Sequence, residues 1–261
     1  MTTLRTLGRT GLRVHPLVLG TMNFGPETSE QDSFTVMDAA HDAGINVFDT
    51  ADVYGWKKGE GVTEQIIGRW FASGGGRRER TVIATKLYGS MSDWPNDTFL
   101  SSLAIRRKCE ASLRRLQTDH IDLYQMHHVD RLAPWDELWE AFDVLKTQGK
   151  VLYVGSSNFP AWKVVQANEH ADRRGRVGLV SEQSHYNLLE RTVELEVLPA
   201  CEAYGVGVIP WSPLAQGVLA GILRKEQEGR SAAPHVQERL AKHRPAVEAW
   251  AKILRLRGHL F

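Results

Sequence analysis

The chain has 261 residues, of which 42% are hydrophobic and 24% charged. That is ordinary globular usage, with enough apolar material for a substantial core, and it excludes disorder, collagen and coiled coil. With 32 Lys+Arg against 31 Asp+Glu the formal net charge is +1, so no overall field recruits nucleic acid or an anionic membrane, and a small-molecule partner is expected. At this length an α/β chain forms one domain, here residues 1–261. The N-terminal stretch carries basic residues but neither a continuous apolar run nor a small-residue cleavage site, which argues against a signal peptide. Cys109 and Cys201 stand too far apart for a disulfide framework or a zinc-ligand spacing, so a reduced, cytoplasmic setting is expected.

Seven β-rich runs follow in chain order, beginning at residues 14, 46, 81, 121, 151, 178 and 207. Successive starts differ by 27 to 40 residues, the length of a βα unit rather than of a hairpin. Between them lie helical patterns. Residues 101–116 carry Leu103, Cys109, Leu113 and Leu116 with the basic flanks Arg106 and Arg107, and residues 135–145 carry Trp135, Leu138, Trp139, Phe142 and Leu145 behind Pro134. Gly74, Gly75 and Gly76 precede a strand and are expected to form a loop. The stretch from Tyr204 to Leu223 lacks charge, yet Pro210, Pro213 and its glycines fit a strand and loop, not a membrane span. A helix with Val247, Trp250, Ala251 and Leu254 comes last.

Strands alternating with helices at this spacing must pair in parallel, because each crossover returns the chain to the same end of the sheet. A doubly wound nucleotide-binding sheet would show GxGxxG after its first strand, where this chain has LGTMNFG over residues 19–25. No Walker A, HExxH or GxSxG sequence occurs. Unusual polar residues instead close every run: Thr21 and Asn23, Asp49, Lys86, His127, Ser157 and Asn158, Gln183, then Trp211 and Ser212. A barrel assembles its site from the carboxyl ends of many strands, so the expected fold is an α/β (β/α)8 TIM barrel.

Asp49 and Lys86 each end an apolar run, and burying either charge alone is costly, so the two are expected to pair, as scaffold or as chemistry. Tyr54, five residues after Asp49, is placed to lean back beside Lys86. A phenol gives up a proton near neutrality only where its anion is stabilised, which a neighbouring ammonium does. His127 and His128 have opposite strand parity, so one of them faces the interior, and parity does not say which.

These residues resemble the aldo-keto reductase superfamily over nearly all of residues 4–224. GINVFDTADVYG from Gly44, continuing to Glu64, Ile67 and Gly68, is similar to the family's first signature, and SLRRLQTDHIDLYQMHHVD to its fourth-strand motif. GSSNF from Gly155 and WSPLAQG from Trp211 complete the series, and the WSPL form resembles the branch that includes potassium channel β-subunits and many bacterial reductases. The resemblance implies an N-terminal β-hairpin before the barrel. It implies Tyr54 as proton donor, Lys86 as the partner that lowers its pKa, Asp49 as counter-ion and His127 as the residue that orients the carbonyl.

It further implies that Ser157, Asn158 and Gln183 bind the nicotinamide carboxamide and that Trp211 stacks on the nicotinamide. Gly20, Thr21 and Met22 match a cofactor-facing turn, and Ser212, Pro213, Leu214 and Gln216 match the pyrophosphate loop. NADPH is the implied cofactor, a small carbonyl compound the substrate, and no metal is used. Two departures stand out. Position 222 is isoleucine where relatives commonly have a lysine, with Arg224 and Lys225 slightly later, and the sequence ends at Phe261, so the resemblance leads us to expect that the last βα unit, with its 2′-phosphate site, is lacking. The expected function is NADPH-dependent reduction of aldehydes or ketones, the alternative being a nicotinamide-binding sensor with little turnover. Trp56 and Trp94 are candidates to line a substrate pocket, and the sequence leaves oligomeric state open.

Overall fold

Alternation of short apolar runs with amphipathic segments organises the chain in a computed structural model, which describes residues 3–220 and 233–256, the side chains of 254–256 excepted. In chain order the elements are β1 (Arg5–Thr6), β2 (Arg13–Val14), β3 (Leu19–Gly20), α1 (Glu30–Asp42), β4 (Val47–Asp49), α2 (Val62–Ala72), β5 (Val82–Leu87) and α3 (Ser102–Leu116). There follow β6 (Ile121–Met126), α4 (Trp135–Thr147), β7 (Val151–Ser157), α5 (Ala161–Arg173), β8 (Leu179–His185), α6 (Val197–Ala203), β9 (Gly207–Trp211) and α7 (Pro234–Leu256). The chain divides into two compact units, Met1–Gln183 with Glu196–Ile209, and Ser184–Leu195 with Pro210–Phe261.

β1 and β2 form the antiparallel hairpin. β3 to β9 form a seven-stranded sheet in sequential order, parallel at every pairing from β3 to β8. The first run behaves differently from its sequence pattern. Val14 belongs to the hairpin and the sheet strand starts only at Leu19, beyond Pro16, which has no N–H to give to a ladder.

The sheet curls. The Asp49 carboxylate on β4 accepts amide N–H bonds from Gln125 on β6 at 3.1 Å and from Gln183 on β8 at 3.0 Å. Strands four apart in a flat sheet lie about 19 Å from each other, beyond the reach of these side chains. Curling also brings Val47, Ala84, Leu123, Val180 and Ile209 into one cluster with Leu7 and Val14 of the hairpin.

Helices α1 to α6 cover the other face. Ser29 and Ser101 cap α1 and α3 by accepting from Asp32 N and Ala104 N. The buried side of α4 carries Trp135, Leu138, Trp139, Phe142 and Leu145, as its spacing implies. α3 differs from expectation, since Leu103 is exposed and the buried stripe runs Ala104, Ile105, Lys108, Cys109, Ser112, Leu113, Leu116. A lysine therefore sits on its core-facing side. Among the described residues no helix is long and apolar enough to cross a membrane.

Candidate active site

The expected tetrad converges at the carboxyl ends of β4, β5 and β6. Lys86 is wholly enclosed, and its Nζ donates to Asp49 Oδ2 at 2.7 Å, to the Thr50 carbonyl at 2.8 Å and to Tyr54 Oη at 3.3 Å. An isolated buried ammonium would shed its proton, and burial does pull in that direction, but Asp49 and Tyr54 outweigh it and raise the Lys86 pKa. Asp49 is itself fully engaged, with Oδ2 on Lys86 and Oδ1 on both Gln125 and Gln183. Gln125 is not among the residues that sequence reasoning singles out. The signal that could have found it is an amide in the middle of a buried strand, in phase with His127.

Tyr54 is half-buried, and its phenol is pushed up by burial more than it is pulled down by Lys86, with Asp49 adding to the rise. Lys86 thus pulls the phenol down as expected, but the net direction is upward because burial outweighs that pull, with Asp49 adding to the rise. The ring packs edge-on against His127, with centroids 5.9 Å apart. Burial first, then Lys86 and His128, bring the His127 pKa down to about 3, so at neutral pH the imidazole is uncharged and offers one N–H. His128 is exposed and stacks on His127 at 5.0 Å, which resolves the parity ambiguity in favour of His127.

Ser157, Asn158 and Gln183 come together beside the tetrad. Ser157 Oγ and the Asn158 N–H both donate to the Gln183 carbonyl at 2.9 Å, and Asn158 Nδ2 donates to the His127 carbonyl at 3.1 Å. Asn158 holds φ +60, a left-handed conformation that asparagine tolerates better than most residues. In the β3–α1 turn the Thr21 hydroxyl is spent on the Asp49 carbonyl at 2.8 Å, whereas Gly20 and Met22 are exposed.

Trp56 is 58% exposed with its ring 6.5 Å from that of Tyr54, while Trp94 lies beneath the Arg107 guanidinium at 4.8 Å. A cleft of about 500 Å³ runs among Tyr88, Phe99, Val129 and Leu132. It connects to the tetrad through ring contacts, Phe99 to Tyr88, Tyr88 to His128 and His128 to His127.

In the second unit Trp211 is 38% exposed, and one of its faces is covered by His185, stacked at 4.1 Å. Sequence reasoning does not anticipate His185, two residues beyond Gln183 on the same strand. Ser212, Ala215 and Gln216 all have positive φ, and Pro213 and Leu214 are exposed. Asn187 Nδ2 donates to the Ser212 carbonyl at 3.0 Å. Ile222, Arg224, Lys225 and Phe261 lie outside the described residues.

Parallel βα units around a curled sheet, with Asp49, Tyr54, Lys86 and His127 gathered at the strand ends, place the chain in the (β/α)8 class. The chain belongs to the aldo/keto reductase family, whose model matches residues 16–259. It is 54% identical over 256 residues to an uncharacterized oxidoreductase, YrpG, of Bacillus subtilis, covering 97% of this chain and 78% of that protein. It is 37% identical to a probable voltage-gated potassium channel subunit beta of Oryza sativa subsp. japonica (83% of this chain, 65% of that one). It is 34% identical to norsolorinic acid reductase A of Aspergillus parasiticus (90% and 61%). The chain therefore spans less than two thirds of the length of the rice and Aspergillus relatives.

Proposed function

We propose that this chain reduces a small aldehyde or ketone with hydride from NADPH, and that Tyr54 supplies the proton. The observation that carries the reading is the single ammonium of Lys86 held between Asp49 at 2.7 Å and Tyr54 at 3.3 Å. Two amide side chains and a hydroxyl, from Asn158, Gln183 and Ser157, have the donors and acceptors that a carboxamide needs, so a nicotinamide fits the chemistry of this group. The bound cofactor supplies the hydride. Tyr54 gives its proton to the carbonyl oxygen as negative charge develops there, and Lys86 stabilises the phenolate left behind. Asp49 keeps Lys86 charged despite burial, and neutral His127 donates a hydrogen bond that orients the carbonyl. The resemblance assigns Trp211 to the nicotinamide face and Ser212, Pro213, Leu214 and Gln216 to the pyrophosphate.

NADPH oxidation against a panel of aromatic aldehydes tests the proposal. Tyr54→Phe is expected to lose about 10² to 10⁴ in kcat, the usual range for a general acid, with an unchanged Kd for NADPH. A variant that keeps most of its kcat removes Tyr54 from the mechanism. Cofactor binding without sustained turnover in the parent would favour a sensor.

A further inference from the structure

The buried lysine of α3 has no role in the chemistry just described. Lys108 is 2% exposed, and its Nζ lies 3.0 Å from Oδ2 of the fully enclosed Asp52. The same ammonium donates to the Gly89 carbonyl at 2.6 Å. Asp52 stands between Asp49 and Tyr54, and its N–H donates to the Lys86 carbonyl at 3.0 Å. Gly89 follows Lys86 by three residues and presses on the same loop, since a Cβ there would lie 2.6 Å from Val53 Cγ1. One cation therefore joins the loop that carries Tyr54 to the strand exit that carries Lys86.

Stability alone gives little reason for this arrangement. A buried ion pair replaced by apolar side chains of similar volume is often neutral or better, and the rest of the buried α3 stripe is small or apolar. What an ammonium offers that leucine lacks is a hydrogen-bonded link to oxygens on two separate segments. Those segments hold the two partners of a contact only 3.3 Å long, and small misplacements at such a contact carry large kinetic penalties.

We propose that Asp52 and Lys108 are positioning residues for proton transfer, and that the charged Asp52–Lys108 pair holds the Tyr54 hydroxyl against Lys86. The proposal rests on Tyr54 being the proton donor. Asp52 faces Lys108 and Arg115 from α3 and Glu64 from α2, and its carboxylate also bears on the Tyr54 phenol. Burial raises the Asp52 pKa to about 6, with Lys108 opposing the rise and Glu64 adding to it. Oδ1 has no hydrogen-bond partner among the described residues, so Lys108 and Arg115 are the groups that favour the charged form. As pH falls through about 6, Asp52 takes up a proton, Lys108 loses its anionic partner and the Tyr54 loop is released.

The test is kcat, carbonyl KM and NADPH Kd for the parent, Asp52→Asn and Lys108→Met between about pH 5 and 8. In the parent, kcat should fall below about pH 6. Asp52→Asn imitates the protonated state at every pH, so its kcat should be about 10-fold lower at neutral pH, without that acid limb and with KM and Kd unchanged. In Lys108→Met the pair is absent, so kcat should likewise be about 10-fold lower at neutral pH, and any acid limb that remains should lie at higher pH, because the cation no longer opposes burial. Lys108→Arg, which keeps the charge, should restore part of the loss. An acid limb that persists unshifted in both Asp52→Asn and Lys108→Met overturns the proposal while leaving the Tyr54 assignment standing. An active Tyr54→Phe overturns that assignment instead. Should Asp52→Asn fail to fold, the direction in which Lys108→Met moves the limb decides.

Discussion

His127 and Asp52 lie on either side of Tyr54 in the chain and pull stability in opposite directions as the solution is acidified. His127 has a folded pKa of about 3 against roughly 6.5 for an unperturbed histidine. Between those values the unfolded chain binds more protons, so stability falls as pH drops from about 6.5 towards 3. The full shift corresponds to about 4 to 5 kcal/mol by linkage, and screening of a ring that is only half-buried reduces it to about 2 to 3 kcal/mol. Asp52, raised to about 6, has the reverse sign, because here the folded state binds the extra proton and this group favours folding as pH falls through 6. The parent therefore shows a partly cancelled curve. His127→Gln removes the contribution that acid turns against the fold, so between about pH 7 and 4.5 its unfolding free energy should fall less than the parent's, or rise more, by denaturant titration. Parallel curves for the two proteins would mean that His127 is not held neutral by its surroundings.

The contact between α2 and α3 depends on Gly68. A Cβ at that position would stand 2.1 Å from the Arg115 carbonyl oxygen and 2.9 Å from the Leu116 carbonyl carbon, both backbone atoms that cannot turn aside. Around it, Glu64 is buried and accepts from Arg115 Nε at 2.7 Å and from Thr85 Oγ1 at 2.6 Å, so the helices are tied to each other and to β5. Gly68→Ala must separate them, at a cost of about 1 to 3 kcal/mol for overpacking. The urea midpoint should drop with the m-value unchanged, and an unchanged midpoint would show that the helices approach less closely. α4 is legible in the sequence because its large apolar residues recur at strict helical spacing. The stripe of α3 is not, because Leu103 is the more apolar residue, yet tertiary packing turns Lys108 inward.

The hairpin packs against the inner side of the curled sheet. Leu7 and Val14 join the cluster formed by Val47, Ala84, Leu123, Val180 and Ile209. Between them Gly8, at φ +54, leaves room for the backbone of the first unit: an added Cβ would meet the carbonyl oxygens of Gly205 and Val180 at 2.6 Å and Gly207 N at 2.7 Å. Gly8→Ala combines a left-handed φ with three backbone clashes. It should lower stability by about 3 kcal/mol or more, well above an ordinary surface change, and lower Tm with a near-native far-UV spectrum at low temperature. A melting temperature equal to the parent's would mean that the hairpin does not pack on β8 and β9.

Much of this protein is written in local sequence. Seven apolar runs a βα unit apart dictate parallel pairing, because a short link cannot return a strand to the same end of a sheet. Charged residues at the ends of two such runs dictate a pair, because neither charge is stable alone in the core. Asp49, Lys86 and Tyr54 can thus be placed from their neighbours along the chain. The rest depends on contacts between residues distant in sequence. Gln125 and Gln183 meet Asp49 because the sheet curls, and Lys108 meets Asp52 because α3 turns one particular side to the core. Val14 leaves its run for the hairpin, and His127 rather than His128 faces Tyr54. Local pattern sets which residues are apolar and how often they recur, but the direction of curvature and the rotation of a helix about its axis are decided only when the whole core packs.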